Sequence, residues 1–432
     1  MRLLISILLV SVLTAPAAGQ DTLTTTYSVN GLPVVHRRNT ANDVVAVHLY
    51  LLGGTRQLTA RTAGIETMLL ASSEYGTAKY PRDALRRTTA RTGSEIVIDP
   101  DVDWTMFGFR GIRQELDSTW SVWAERVMHP TLDEQSVSLV RNQLLTSARQ
   151  RRITPDALVR VLADSASFSG HPYALDPVGT EASLAAITVD DLKKYHKEQF
   201  VTSRMLLAVS GNVAREQIEK LVGATLATLP RGNYQWQMPP NVPQRATSLT
   251  SVNRPLPTNY LIGYFTGPPA SSADYPAFRV AMALLSSSLH RVIREERSLS
   301  YAAYAPVLDR AITSGAVYAT TVSPDQVLPL MRAQIERLQR DWLQAAGLRE
   351  YVEQFITDYW NDNETNAGQA ESLARAQLYR GDYRVAGRFM DEIRRVSPDD
   401  VRRVARTYMR NIQFAYVGDP ARVPMGEVRR FE

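Results

Sequence analysis

The chain contains no cysteine in 432 residues, and it contains only six histidines. The absence of cysteine excludes disulfide bonds, a cysteine-linked lipid anchor and any metal site built from thiolates. No two histidines stand three or four positions apart, so no pair of them shares one face of a helix. A histidine metal site would therefore need distant parts of the chain to come together. The histidines are His36, His48, His129, His171, His196 and His290.

The chain also lacks an apolar stretch long enough to span a membrane, which takes about 20 residues. Residues 1–19 contain Arg2, an apolar run over residues 3–15 and small residues over 15–19, a pattern typical of a secretory signal peptide. Cleavage after Ala17 and cleavage after Gly19 both fit the pattern of small residues. We therefore predict an exported chain, periplasmic or secreted, that is soluble after signal cleavage and has no membrane span.

The charge pattern gives no sign of a nucleic-acid partner. The net charge of +5 is small for this length, and the basic residues are scattered rather than clustered on one segment. Motifs of a phosphate loop, a nucleophile elbow or a dinucleotide site are absent. Residues 99–103 begin like a calcium loop, but Trp104 and Arg110 replace the glycine and glutamate that such a loop requires. We predict a turn between two strands there.

Two copies of one motif divide the chain. Residues 187–194 read Ile-Thr-Val-Asp-Asp-Leu-Lys-Lys, and residues 396–403 read Val-Ser-Pro-Asp-Asp-Val-Arg-Arg. Thr188 and Ser397 suit helix N-caps, and the paired aspartates would lie in the first turn, where the helix dipole favours negative charge. Each predicted helix leads into a strand that ends in glycine. Since the second copy follows about half a chain later, we predict an internal duplication.

The beginnings of the two halves agree as well. Strand-like residues 44–52 and 259–265 each meet a turn that contains glycine, and a helix follows each turn. Strands and helices mix without steady alternation, which favours an α+β fold. We predict two similar mixed α/β halves, residues 20–230 and 251–432, joined by a linker over residues 231–250. The clearest helices of the second half are predicted over residues 329–359 and 369–379.

The segment on which a family resemblance depends is residues 63–77. It follows the turn Gly53-Gly54-Thr55-Arg56, reads as one helix with apolar residues near helical period, and closes on Gly76-Thr77. This frame resembles the pitrilysin/insulinase family of zinc metallopeptidases, which includes mitochondrial processing peptidase. Residues 171–173, 178–181 and 208–212 are also typical of that family. The resemblance covers essentially the whole chain after the signal and implies a fold of two similar α/β halves.

The same resemblance locates a zinc site that has been lost. Active members of the family carry H-x-x-E-H on this helix, with two histidine ligands and a glutamate base. The matching ligand positions are Thr67 and Ala71, the base position is Leu70, and the third ligand position, on a later helix, is Ser147. Thr is a poor zinc ligand, Ala has no donor atom and Leu takes no proton. We therefore predict a degenerate zinc site, no metal or cofactor in this chain, and zinc in a partner subunit.

Residues 289–301 resemble the family's stretch in which an arginine and a tyrosine, seven positions apart, face the zinc. Arg294 and Tyr301 match this spacing. The resemblance implies contacts with substrate and transition state, whereas the alternative is that Arg294 pairs with a nearby acid and Tyr301 packs. Residues 94–98 match the family's edge strand, which pairs with substrate, or they form a merely structural strand. We predict His48 on the outer face of its strand and His171 as a packing residue.

Heterodimeric members of the family combine a zinc-bearing subunit with one that has lost the zinc motif and contributes the Arg/Tyr pair. This chain resembles the second kind. The resemblance implies a non-catalytic, substrate-binding subunit of an exported zinc endopeptidase that acts on oligopeptides, with a zinc-bearing paralogue as partner. Two other classes stay open: an inactive structural scaffold of a larger complex, and a peptidase with an unrecognised metal site.

Overall fold

The computed structural model describes residues 23–242, 245–340 and 344–432, so the predicted signal peptide lies outside the described residues. Two mixed β-sheets form the framework, one built from the first half of the chain and one from the second. The strands are β1 (Thr24–Val29), β2 (Leu32–Arg38), β3 (Val44–Leu52), β4 (Glu95–Pro100), β5 (Trp104–Ile112), β6 (Met205–Gly211), β7 (Ser248–Asn253), β8 (Asn259–Thr266), β9 (Ala303–Tyr304), β10 (Val307–Leu308), β11 (Ser314–Thr321) and β12 (Gln413–Gly418).

The two sheets share one topology. The first has the order β1-β2-β6-β3-β5-β4, and the second has the order β7-β12-β8-β11-β10, with β9 also paired to β11. In each sheet one pair is parallel, β2 with β6 and β7 with β12, and the central neighbours are antiparallel. This correspondence confirms the predicted fold class of two similar mixed α/β halves.

Helices cover the outer faces of both sheets. None of them, within the described ranges, combines the length and apolarity needed to cross a membrane. The helices are α1 (Ile65–Ser72), α2 (Arg82–Thr92), α3 (Leu116–Met128), α4 (Glu134–Ile153), α5 (Pro155–Ser167), α6 (Glu181–Ala186), α7 (Val189–Gln199), α8 (Arg215–Ala224), α9 (Tyr275–Leu289), α10 (Pro324–Gln339), α11 (Ala345–Asp362), α12 (Asn366–Arg380), α13 (Val385–Arg394), α14 (Pro398–Tyr408) and α15 (Met425–Val428).

Two predicted helices are shorter than expected. The segment 63–77 is helical only from Ile65 to Ser72, after which the chain tightens into a 3₁₀ turn. The segment 329–359 is divided between α10 and α11, because Arg340 turns to an extended conformation. Apolar residues continue near helical period on both sides of that break, so the pattern does not reveal it.

The duplicated motif forms the same cap twice. The Oγ1 of Thr188 accepts from the Asp191 amide at 3.1 Å, and the Asp191 carboxylate accepts from the Thr188 amide at 3.0 Å. Ser397 and Asp400 repeat this capping box at 3.2 and 3.1 Å. Each box satisfies two amides that a helix start would otherwise leave unpaired. The predicted N-caps are confirmed.

One helix from each half of the chain packs on the sheet of the other half. Helix α5 packs on β8 and β12 of the second sheet, and α12 packs on β3 and β6 of the first. Polar contacts fix both helices: Asn366 donates to the carbonyl of Val44 at 2.7 Å, and Arg160 donates to the hydroxyl of Tyr304 at 2.8 Å. Both faces of the first sheet are therefore covered, which explains the almost continuous burial of β3.

The prediction for His48 was wrong for this reason. Its side chain points to the face that α12 covers, and the residue is only 8% exposed. Burial lowers the pKa of His48 to about 4, so the ring is neutral at physiological pH. The prediction that His171 packs is confirmed by its edge contact with the ring of Tyr173, with centroids 4.7 Å apart.

A buried carboxylate joins the two halves in the turn between β4 and β5. Asp103 is fully buried; its Oδ1 accepts from the hydroxyl of Tyr173, and its Oδ2 accepts from the amide of Ala311 at 2.8 Å and the hydroxyl of Tyr379 at 2.9 Å. Burial raises the pKa of Asp103, and the three donors oppose that shift. The predicted turn is thus present over residues 101–103, while Asp99 and Pro100 end β4, and Asp103 is a structural junction between the halves.

Candidate functional site

The helix that carries the predicted zinc positions begins at a backbone turn that only glycine fits well. Gly64 has a φ of +87°, and a Cβ there would lie 2.7 Å from the carbonyl oxygen of Val178. Helix α1 then packs between α4 and the strands β4 and β5. The glycine before the helix in the sequence is therefore explained by the close approach of two loops at Gly64 and Val178. The helix that follows packs on the first sheet.

The side chains at the matched positions have no zinc-binding chemistry. Thr67 is 8% exposed, and its Oγ1 has no hydrogen-bond partner among the described residues. Leu70 is buried and Ala71 is half-buried on the same helix. Ser147 is exposed on α4, which packs against α1. In the part of the chain that the structure describes, no group of three His, Cys, Asp or Glu side chains is arranged to hold a metal ion.

One acidic residue of α1 was missed by the sequence analysis. Glu66 lies one position before Thr67 but points into the core, where its Oε1 accepts from Tyr195 at 2.6 Å and from Arg204 at 2.6 Å. Its Oε2 accepts from the hydroxyl of Thr105. Every carboxylate oxygen is thus committed to the protein. A charged residue between Ile65 and Met68 in an otherwise apolar helix was the available signal.

A second buried charge holds the other end of α1. Arg126 donates to the carbonyl of Leu70 at 3.2 Å and to the hydroxyl of Ser73 at 3.0 Å, and its guanidinium lies over the ring of Phe107. Burial lowers the pKa of Arg126 to about 10, with Glu74 acting in the opposite direction. The guanidinium occupies the end of the helix where the dipole favours positive charge. These contacts anchor the C-terminal end of α1 to α3 and β5.

Strand β4 is the open edge of the first sheet. It pairs only with β5 along the described chain, and its residues are half-buried or exposed. Residues 95–98 of the predicted segment 94–98 lie in this strand. Helix α1 contacts β4 directly, so this edge strand lies against the helix that carries the degenerate zinc positions.

Arg294 and Tyr301 lie in the second half, on either side of a tight turn. Arg294 is in a π-helical segment, His290–Glu295, that continues α9, and Ser298 takes a φ of +54°. The amide of Ser298 donates to the carbonyl of Arg294 at 3.0 Å, which closes the turn. Non-glycine residues rarely adopt such a φ, and π-helical turns often occur at functional sites.

Both side chains are free in the described part of the chain. Arg294 is exposed and makes no ion pair there, so the alternative interpretation, a surface pairing with a nearby acid, is not seen. Tyr301 is 89% exposed, and it lies two residues before the first residue of β9. The placement leaves both side chains open to a partner, while their role stays a prediction.

Comparison with known proteins gives consistent matches. Residues 186–355 match the family model described as the peptidase M16 inactive domain. The chain is 20% identical over 388 residues to an uncharacterised zinc protease of Bacillus subtilis, covering 87% of this chain and 93% of that protein.

Solved structures match over almost the full length. The peptidase M16 inactive domain from Pseudomonas fluorescens aligns with a TM-score of 0.83 at 16% identity, over 92% of this chain and 98% of that chain. A chain of complex III2 from Candida albicans aligns with a TM-score of 0.81 at 16% identity, over 94% of this chain and 99% of that chain. At these identities the likeness shows a shared fold.

Proposed function

We propose that this chain, which matches the M16 peptidases (the pitrilysin/insulinase family) in sequence and in fold, is a non-catalytic, substrate-binding subunit of an exported heterodimeric zinc endopeptidase acting on oligopeptides. The partner is a paralogous subunit that carries the zinc. The observation that carries the proposal is the pair Arg294 and Tyr301, which the fold presents to solvent without a partner in the described residues.

The loss of catalytic chemistry in this chain supports a partner that supplies it. A catalytic zinc needs three protein ligands and an open position for water. The matched positions offer one hydroxyl on Thr67, a methyl on Ala71 and an exposed hydroxyl on Ser147. Leu70 at the base position takes no proton. The zinc and the base would therefore come from the other subunit.

Substrate binding is proposed at the edge strand β4. A sheet edge offers a row of unpaired backbone donors and acceptors, to which an extended peptide can add as a further strand. Main-chain hydrogen bonds supply affinity for oligopeptides of varied sequence. The buried anchors Glu66 and Arg126 hold α1 behind this strand, which would keep the edge in a fixed position during binding.

Arg294 and Tyr301 are proposed to reach the partner's active site. In peptide hydrolysis the attacked carbonyl oxygen gains negative charge, and a phenolic hydroxyl aimed at that oxygen binds it more strongly as the charge develops. A guanidinium can hold a substrate carbonyl or carboxylate through two N–H groups. Because Tyr301 is 89% exposed, its ring contributes little to packing, which favours a role in contact with another molecule.

The first experiment measures the assembled complex. Co-expression with a zinc-bearing paralogue should give one peak in size exclusion and peptidase activity that neither chain shows alone. Tyr301→Phe should lower turnover by about tenfold or more, since removing one oxyanion donor costs on the order of 10²–10³. Arg294→Ala should also weaken substrate binding. Neither variant should change assembly or zinc content.

Two exposed residues on α11 provide matched controls. Tyr351→Phe and Arg349→Ala remove the same groups from the surface of the same half and should leave turnover unchanged. Separate peaks with no activity on mixing at micromolar concentration would contradict the proposed assembly. If Tyr301→Phe and Arg294→Ala cleave peptides at the unmodified rate in an assembled complex, the proposed role of the pair is wrong.

The second experiment concerns metal in the isolated chain. Elemental analysis after dialysis against a weak chelator should find no stoichiometric zinc, and the chain alone should cleave no peptide. Thr67→His should not restore either property, because a single ligand cannot hold a catalytic zinc. About one zinc per isolated chain would instead support a peptidase with an unrecognised metal site.

A structural scaffold is the second candidate function. The likeness of nearly the whole chain to a chain of Candida albicans complex III2 favours it, since that chain is part of a complex. Purification of the native protein distinguishes the two candidates. A stable assembly of many different subunits, with no peptidase activity and no zinc-bearing paralogue, would support the scaffold.

A further inference from the structure

A cavity of about 330 Å³ opens in the second half among the helices α9, α11, α12 and α13. Its volume lies at the lower end of the ~300–1,000 Å³ typical of small-molecule sites. Its lining combines aromatic rings, arginines and carboxylates, and it is separate from both the degenerate zinc positions and the Arg294/Tyr301 turn. The residues that carry the argument are Tyr275, Arg279, Tyr359, Asp362, Glu371 and Phe389.

One side of the cavity offers a guanidinium with free donors. Arg279 uses only its Nη1, which donates to the hydroxyl of Tyr275 at 2.8 Å and lies 3.4 Å from the carboxylate of Asp309. Its Nε and Nη2 make no hydrogen bond to the described residues, and neither is shut away from solvent. Burial lowers the pKa of Arg279, but Tyr275 and Asp309 outweigh it and raise the pKa, so the group stays charged.

Carboxylates with free acceptors also line the cavity. Asp362, at the end of α11, makes no side-chain hydrogen bond or ion pair to any described residue. Glu371 on α12 commits one oxygen to Arg375 at 2.8 Å and leaves the other without a partner in the described residues. The cavity therefore presents positive and negative groups that are both unsaturated.

Aromatic rings form the apolar wall. The ring of Phe389 lies 5.7 Å from that of Tyr275 and 5.9 Å from that of Tyr359, measured between centroids. The guanidinium of Arg279 lies 6.0 Å from the Phe389 centroid, so the charged and apolar surfaces adjoin. A ligand of one charge sign would meet a repelling group in this cavity. A zwitterion with an apolar substituent would satisfy all three surfaces.

We propose that this cavity binds a free α-amino acid with an apolar side chain. The ligand carboxylate would accept from the open edge of Arg279, its ammonium group would pair with Asp362, and its side chain would pack against Phe389 and Tyr359. Binding requires no zinc and no partner subunit. A negative result therefore leaves the proposed peptidase role untouched, and a failure of that role leaves this site untouched.

Isothermal titration of the full chain tests the ligand class. The probes are L-phenylalanine and L-leucine, with N-acetyl-L-phenylalanine and L-phenylalaninamide as analogues that each lack one charge, and inorganic phosphate as a simple anion. The zwitterions should bind, and each analogue should bind at least about tenfold more weakly because it loses one charged contact, with Arg279 or with Asp362. No heat from either amino acid at about 10 mM would overturn the proposal, as would equal binding of an analogue or of phosphate.

A variant at the mouth tests the position of the site. Asp362→Asn should weaken binding of L-phenylalanine by about tenfold without loss of fold, because the Asp362 side chain holds no other group. Asp358→Asn is the matched control, since Asp358 is exposed on the same helix and its one side-chain hydrogen bond among the described residues is accepted from Gln354. Arg279→Ala would also remove contacts to Tyr275 and Asp309, so Asp362 carries the test. Unchanged binding in Asp362→Asn would refute the site.

Discussion

Replacing Arg204 by methionine is expected to destabilise the protein by about 3–5 kcal/mol, the usual cost of removing one partner of a buried ion pair. The side chains of Arg204 and Glu66 are 1% and 2% exposed, and their charged atoms lie 2.6 Å apart. Arg204 also donates from Nε to the carbonyl of Leu52 at 2.6 Å, so the substitution leaves both a carboxylate and a carbonyl without that donor.

The size of the effect depends on what remains around Glu66. Tyr195 and Thr105 still donate to the carboxylate, which keeps it hydrogen-bonded but leaves it without a cation in a dry environment. Glu66→Gln in the Arg204→Met background removes the orphaned charge. The double variant should therefore lose less stability than the sum of the single variants, with a coupling of about 0.5–3 kcal/mol.

Urea denaturation followed by circular dichroism measures these free energies of unfolding. Arg149→Met is the control, because Arg149 pairs with Glu181 on the exposed surface of the same half. That control should change stability by no more than about 0.5 kcal/mol. If Arg204→Met costs no more than the control, or if the double variant costs the full sum, the buried pair does not hold α1 in place.

Two further predictions concern contacts that the structure revealed or confirmed. Asp103→Ala should cost about 3 kcal/mol or more, because two phenols and one amide lose a buried acceptor; an effect below about 0.5 kcal/mol in thermal unfolding would contradict the junction between the halves. Hydrogen bonds from Ser397 lower the pKa of Asp400, so this carboxylate stabilises the folded state above about pH 4 and loses that effect as the pH falls through the folded pKa. Ser397→Ala should therefore cost about 1 kcal/mol at pH 6 and less at pH 3; an equal cost at both would contradict the linkage.

Local features of this protein were predictable from the sequence. The capping boxes at Thr188 and Ser397 depend on residues three positions apart, so the local sequence contains both partners of each interaction. Strands at 44–52 and 205–211 follow from short apolar runs bounded by turn residues. The shared sheet order of the halves follows from the duplication that those repeated features indicate.

The candidate site was predicted only in part. The frame around α1 identified the positions Thr67, Leu70, Ala71 and Ser147, because a family resemblance supplied the alignment. The same resemblance supplied Arg294 and Tyr301, whose role stays a prediction. The cavity beside Arg279 was not foreseen, since its walls come from four helices and no short motif links them.

Contacts between segments that are distant in sequence could not be predicted from the periodicity of apolar residues. Apolar periodicity shows that a strand is covered but not which helix covers it, and so the exchange of α5 and α12 and the burial of His48 were not foreseen. The partners of Glu66 and Asp103 lie far along the chain, at Arg204 and Tyr379. A buried charge is stable only where the fold brings its hydrogen-bond and ion-pair partners together. The position of those partners depends on how whole helices and strands pack, rather than on residues that are neighbours in sequence.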